Sequence, residues 1–343
     1  MTDQGRIVLT GASGYIAKHV LLKLLAAGYR VTATLRSPAR ADEVRAAVAP
    51  HLADAAAQER LDFATLDLTR DDGWAATMAG AEALVHTASP FPLGQPRDED
   101  ALIRPAVDGT RRALAAAHAA GIGRVVLTSS SAAIMAGKSD VGRPWTEEDW
   151  SDLDHPSATA YVKSKTLAER AAWDFVKKEA PGIGLTVINP VVVIGAPLDA
   201  RFGSSVGIVQ RLLAGKDPMV PRMGFPLVDV RDVAEMHLRA VARPETAGRR
   251  FIASDRSMWF AEISSLLRQE FPGRRIPRRV APDWLMKLLG KFDPAIRSIL
   301  PSLGHVDWVS NARAREVMGM RFRNTADSLR ETGHFLIDSG AVK

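Results

Sequence analysis

The residues best equipped for chemistry are Tyr161 and Lys165, in the run Tyr161-Val-Lys-Ser-Lys165, and a serine cluster earlier in the chain, Thr128-Ser129-Ser130-Ser131. A Tyr and a Lys four positions apart share one face of a helix. A lysine beside a phenol lowers the phenol's pKa and makes it a usable acid near neutral pH. A serine hydroxyl at a neighbouring strand end can hold a carbonyl oxygen. Together these groups would polarise and protonate a carbonyl while a nicotinamide delivers hydride.

A second group is Thr10-Gly11-Ala12-Ser13-Gly14-Tyr15-Ile16-Ala17, a glycine-rich turn of the form G-x-x-G-x-x-A. Gly11 permits a tight strand-to-helix turn, Gly14 lets the backbone approach a pyrophosphate, and Ala17 lets the helix pack close to the sheet. The free N–H groups of Ser13, Gly14, Tyr15 and Ile16 would receive the phosphates. Three further strand ends complete the set. Arg36 stands where an NAD site usually has a carboxylate, with Arg40 close behind it. A guanidinium there pairs with a 2′-phosphate, so the cofactor expected is NADP(H). Asp67 can accept from an adenine amino group while Leu68 covers the ring; alternatively Asp67 caps the following turn. Thr87, Ala88 and Ser89 are small enough to let a nicotinamide ribose approach.

These groups need a scaffold that brings strand ends together. Strand-like runs fall at 6–10, 30–36, 61–66, 83–87, 124–128 and 185–189. Helical spacing fills 14–27, 38–58, 71–79, 99–120 and 157–179 between them. This alternation predicts an α/β protein with a Rossmann-type, doubly wound parallel sheet. The later chain is richer in Arg, Trp and Pro. Its helical pieces lie near 203–214, 230–242, 259–270, 311–319 and 325–338. The expected division is an NADP-binding domain over 1–190 and a smaller, mostly helical, substrate-binding region over 191–343. Segments such as 227–230 and 251–253 could add strands to either part.

Composition removes several other chemistries. With no cysteine there is no disulfide scaffold, thiolate metal site or cysteine nucleophile. The eight His form no H-x-x-x-H pair, so no metal is expected. The uncharged run at 180–198 is broken by Pro181, Pro190 and Pro197, which argues against a membrane span. No secretory leader is evident, and a cytoplasmic protein is expected. The net charge of +6 is local: 239–279 holds ten Arg against four acidic residues. No aromatic interleaving accompanies it, so no nucleic-acid partner is expected. The chain reads as a monomer or a homodimer.

The quoted motifs resemble the extended short-chain dehydrogenase/reductase superfamily, and within it the dihydroflavonol 4-reductase family with its bacterial aldehyde-reductase relatives. Tyr161-Val-Lys-Ser-Lys-Thr-Leu-Ala-Glu-Arg-Ala-Ala-Trp173 carries that resemblance. So do His86-Thr-Ala-Ser-Pro90, Glu148-Asp-Trp-Ser-Asp152 and Val228-Asp-Val-Arg-Asp-Val-Ala234. The resemblance implies that Ser130 is the catalytic serine, that Tyr161 donates the proton, and that Lys165 binds the nicotinamide ribose and tunes Tyr161. It also implies that Pro190 to Val193 packs on the nicotinamide. The expected activity is NADPH-dependent reduction of an aldehyde or ketone, with a small-molecule carbonyl as partner. Two departures bear on the substrate. Met135 stands where plant dihydroflavonol reductases have a polar side chain, and Ala158-Thr-Ala-Tyr161 lacks the pattern of cinnamoyl-CoA reductases. The candidate lining is therefore a generic pocket of Phe91, Met135, Phe202, Met223 and Phe225. Two alternatives are a nucleotide-sugar epimerase or dehydratase, disfavoured by Arg36, and a non-catalytic NADP(H)-binding regulator, disfavoured by the Tyr–Lys pair.

Overall fold

The computed structural model describes residues 4–53, 56–90, 98–137 and 142–342. In the first half, strands and helices alternate: β1 (Gln4–Thr10), α1 (Tyr15–Ala26), β2 (Tyr29–Leu35), α2 (Ala41–Val48), α3 (Ala56–Glu59), β3 (Leu61–Thr65), α4 (Trp74–Met78) and β4 (Ala83–His86). Then come α5 (Asp100–Ala119), β5 (Arg124–Thr128), α6 (Ala160–Lys178) and β6 (Gly184–Pro190). The rest runs β7 (Val192–Ile194), α7 (Ser204–Ala214), β8 (Met219–Pro221), β9 (Gly224–Asp229), α8 (Val230–Ala242), β10 (Arg249–Ala253), β11 (Arg256–Trp259) and α9 (Phe260–Glu270). It closes with β12 (Arg279–Ala281), α10 (Asp283–Leu289), α11 (Pro294–Ile299), α12 (Ala312–Glu316) and α13 (Thr325–Asp338).

Seven strands form one parallel sheet in the order β3-β2-β1-β4-β5-β6-β10. Alternate residues of the central strands feed two cores. Ile7, Leu9 and Val85 face one side with Leu21 and Leu24 of α1 and Val233 and Met236 of α8. Val8, Leu84 and Val125 face the other with Met78, Leu114 and Phe175 of α4, α5 and α6. Strands covered on both faces are apolar at successive positions rather than alternating, as 7–9 are here. The order reverses between β1 and β4, and the crevice at their carboxyl ends is where such sheets bind ligands.

The chain beyond residue 190 does not stay apart from this sheet. β10 pairs in parallel with β6, and α8 packs against α1. The remaining segments build a three-stranded sheet, β11-β9-β7, and a two-stranded one, β12-β8. Helices α7, α9 and α13 pack over a third core that includes Val209, Leu212, Leu267 and Leu336. This region thus carries short strands as well as helices. The helix expected over 38–58 is interrupted: a 3-10 turn at Ala49–His51 contains Pro50, whose missing N–H and ring cannot continue α2.

Candidate active site

The turn after β1 has the backbone that its glycines predict. Gly11 lies at φ +70, and a Cβ there would fall 2.9 Å from the Cα of Ala88. The turn is therefore pressed against the chain leaving β4. Thr10 fastens the two strand ends. Its Oγ1 accepts from Thr87 N at 3.1 Å and Ala88 N at 3.2 Å, and bonds His86 Nδ1 at 2.8 Å. Gly14 is the N-cap of α1, in extended conformation, with no side-chain cap; the first turn holds no acidic residue. Such an uncapped helix start presents N–H groups and a positive dipole end to an anion; the Gly14 N–H, expected to be among the free ones, instead donates to Gly11 O at 2.9 Å and closes the turn. Tyr15 leaves the turn sideways, donating its hydroxyl to Gly195 O at 2.7 Å.

The rim of the crevice is cationic. Arg36 is exposed just beyond β2 and close enough to Asp67 to lower that carboxyl. The larger causes of the lowering are the Thr69 N–H and hydroxyl, which both donate to Asp67 Oδ1 at 2.8 and 2.7 Å. Asp67 thus caps its turn with one oxygen, and among the described residues Oδ2 is left for another donor. Leu68 lies against Gly109 of α5, where an added Cβ would come within 2.9 Å of it. Arg40, which sequence reading set behind Arg36, reaches the glycine turn itself: its Nη1 donates to Ser13 Oγ at 2.8 Å while Glu43 holds its other nitrogens.

The catalytic candidates converge at the ends of β5 and β6. Ser130 caps a 3-10 turn, its Oγ accepting from Ala132 N at 3.1 Å. Thr159 caps α6, accepting from Val162 N at 3.3 Å, which sets Tyr161 in the first turn of the helix. Ser130 and Tyr161 both border the same two cavities, close enough for the serine to act on the phenol. Burial raises the Tyr161 phenol above its ordinary value, and Ser130 acts against that rise. Lys165 Nζ lies 5.9 Å from the Tyr161 ring centroid. Its own ammonium is lowered to about 8 by burial, with Glu169 opposing the shift. The influence opposing burial at Tyr161 is thus the serine, where the sequence suggested the lysine. Among the described residues, Lys165 Nζ has neither a hydrogen bond nor an ion pair, although the residue is only 8% exposed.

Two cavities meet at Ser130 and Tyr161. The smaller, about 250 Å³, is bounded by Gly11, Gly14 and Ile16 of the turn, Thr87 and Ser89 beyond β4, and Lys165, Pro190 and Val193. A buried lysine whose Nζ makes no hydrogen bond or ion pair among the described residues, an uncapped helix start and small residues at β4 fit the phosphates and ribose of a nicotinamide dinucleotide. The larger, about 980 Å³, holds Met135 among His155, Ser157, Ser204, His305 and Asp307.

The other pocket candidates lie elsewhere. Met223 and Phe225 line a separate apolar cavity of about 500 Å³ with Ile208, Leu212 and Met286. Phe225 stacks edge-on against Phe260 at 5.5 Å. Phe202 packs on the third core, and Phe91 lies outside the described residues. Among the described residues, the cleft wall is therefore more polar than an aromatic-lined pocket. Sequence reading passed over His155, His305 and Asp307 because isolated polar residues on loops carry no periodic signal, and over Ser204 because a lone serine opening a helix gives no more. The described residues contain no cluster of His, Asp or Glu able to hold a metal ion, and no helix long and apolar enough to cross a membrane.

The chain belongs to the NAD dependent epimerase/dehydratase family, whose sequence profile matches residues 7–252. Among its relatives, a Candida albicans protein named as an NADPH-dependent methylglyoxal reductase is 32% identical, the match covering 94% of this chain and 95% of that one. Cinnamoyl-CoA reductase 2 of Arabidopsis thaliana is 33% identical over 82% of each. The crystal structure of the yeast methylglyoxal/isovaleraldehyde reductase Gre2, complexed with NADPH, superposes with a TM-score of 0.80 at 26% identity, covering 98% of this chain and all of that one.

Proposed function

We propose that this protein is an NADPH-dependent carbonyl reductase acting on small aldehydes and ketones. The observation that carries the reading is the meeting of Ser130 and Tyr161 at the junction of two cavities, one of which also takes in Lys165 beneath the Tyr161 ring. The relatives named for methylglyoxal and isovaleraldehyde reduction support the substrate class. The polar groups around Met135 support a carbonyl compound with a second hydrogen-bonding function over a purely aryl one.

When bound, NADPH supplies hydride to the carbonyl carbon. The chain's own residues handle the oxygen. Ser130 Oγ and the Tyr161 hydroxyl face the larger cavity as a pair, able to hold one carbonyl oxygen between them. Tyr161, kept protonated by burial, gives its proton to that oxygen as negative charge develops, and the nearby Ser130, which acts against the rise caused by burial, favours the phenolate left behind. Lys165 would hold ribose hydroxyls and keep a positive charge near the phenol. Arg36 and Arg40 would meet a 2′-phosphate at the rim, and the turn from Gly11 to Ile16 the pyrophosphate. The absence of cysteine is in keeping with a cytoplasmic setting.

NADPH oxidation measured with methylglyoxal, isovaleraldehyde and a dihydroflavonol tests the reading. Turnover of the first two is expected. Tyr161→Phe should lower kcat about 10²–10⁴-fold while NADPH affinity stays within about threefold. Full turnover in that variant would refute the mechanism.

A further inference from the structure

We infer that Glu169 is a positioning residue for this reaction: from one helical turn beyond Lys165 it holds that lysine's charge and fixes the strand end that carries Ser130. The inference rests on the carbonyl-reductase reading. Tyr161, Lys165 and Glu169 follow at four-residue intervals along one side of α6. Glu169 is 1% exposed, and its carboxylate receives four side-chain donors. Ser129 Oγ at 2.5 Å and Asn189 Nδ2 at 2.7 Å reach Oε2; Arg250 Nε at 2.5 Å and Trp173 Nε1 at 3.3 Å reach Oε1. A carboxylate has about four acceptor positions, so this one is saturated and cannot swing away.

Two of those donors lead to the catalytic serine. Ser129 is its chain neighbour, and Asn189 Nδ2 also donates to the Ser130 carbonyl at 3.1 Å. The carboxylate therefore ties α6 to the ends of β5 and β6 at the point where Ser130 meets Tyr161. The groups that act on Lys165 are Tyr161 and Glu169 on its own helix and His86 at the end of β4. His86 is neutral, lowered to about 3 by burial and by Lys165 itself. Behind Glu169 stands the cation of Arg250, held over the Trp150 ring at 3.8 Å and donating to the carbonyls of Glu147 and Asp149. Beyond it the Glu147 carboxylate accepts from Ile252 N at 3.0 Å. Burying an ion pair is a poor route to stability alone, since well-packed apolar residues often do as well. Placed one turn from a buried lysine, the carboxylate has a second effect: it favours the charged ammonium against the cost of desolvation.

The test is the high-pH limb of kcat/KM in two variants of opposite charge effect. Glu169→Gln removes the anion and leaves Arg250 uncompensated, so the limb should move down by on the order of one pH unit. Arg250→Gln removes the competing cation, so it should move up. Glu169→Asp, which keeps the charge, should restore the limb. Circular dichroism selects folded variants. The Lys165 side-chain resonance, assigned by its loss in Lys165→Arg, reports the same shifts by NMR without turnover. A protein that reduces no carbonyl would thus sink the parent reading while the lysine titration still decides this one. A limb and a resonance unmoved in a folded variant, or moving the same way in both, would overturn the inference. Loss of fold in both would make the cluster scaffold alone and overturn it equally.

Discussion

Gly11 and Gly14 are three residues apart in the same turn, yet the structure gives them separable tasks, and two alanine substitutions should divide them. Gly11 needs positive φ, which costs an alanine about 1–2 kcal/mol. Its new Cβ would also lie 2.9 Å from the Cα of Ala88, a backbone atom that cannot rotate away. Overpacking of that kind costs about 1–3 kcal/mol. A total of about 2–5 kcal/mol, with an unfolding entropy near 2.1 cal/mol/K per residue, lowers Tm by about 3–7 °C in a 343-residue chain. Gly14 has negative φ, and its added Cβ would meet only the Gly11 carbonyl at 3.3 Å and Ala17 Cβ at 3.8 Å. Gly14→Ala should therefore keep Tm within about 1 °C. The methyl would nonetheless stand at the uncapped helix start, where phosphate oxygens must come close. Loss of one charge-assisted hydrogen bond there weakens NADPH at least about tenfold. Differential scanning fluorimetry without cofactor reads the first effect, and NADPH fluorescence titration the second. Equal Tm losses in the two variants, or undiminished NADPH affinity in Gly14→Ala, would refute the division.

Other outcomes follow from the same geometry. Burial lowers the Lys165 ammonium to about 8, so its charge is present below that pH and lost as pH rises through it. With NADPH varied, kcat/KM should be level below about 8 and fall about tenfold per unit above it; a flat profile to about pH 9.5 would contradict this. Arg36→Asp should shift the NADPH-to-NADH ratio of kcat/KM toward NADH by at least about tenfold, in side-by-side assays. Met135→Ala should raise the KM for the carbonyl compound. Phe225→Ala, which enlarges the separate apolar cavity from a partly buried position, should cost about 1–3 kcal/mol of stability with KM unchanged, as read by denaturant unfolding and steady-state kinetics.

Much of the scaffold could be read from local pattern because the central strands are short and buried on both faces. β5 has the expected bounds, and β1, β2 and β4 differ from expectation only at their ends. That Ser130, Tyr161 and Lys165 would meet was legible because each sits at an element's end or on one helix face, where sequence spacing and spatial proximity agree. Spacing is silent on Glu169 and Arg250, which are 81 positions apart. Their pairing follows from β10 returning to the sheet beside β6, a long-range event. The pocket candidates, which the structure divides between two cavities, show a different limit. Phe225 and Met223 are as apolar as a ligand site demands, but apolarity does not say which of two cavities a side chain lines. Helices α10 and α11 escaped notice because Trp284 is 67% exposed, and Phe292 just beyond α10 is 80% exposed, so no buried stripe marks them.

The return of β10 also limits how this molecule can be cut or recombined. A segment ending near residue 190 contains the glycine turn, the serines, Tyr161 and Lys165, and looks like a self-sufficient unit. It would leave Glu169 buried without its guanidinium and β6 as an open edge. A hybrid made by fusing the first 190 residues of this chain to the later part of a relative inherits one half of that ion pair from each parent. Grafts that exchange substrate-recognising segments should therefore leave 230–253 with the parent that supplies α6, and carry their junctions in the loops on either side.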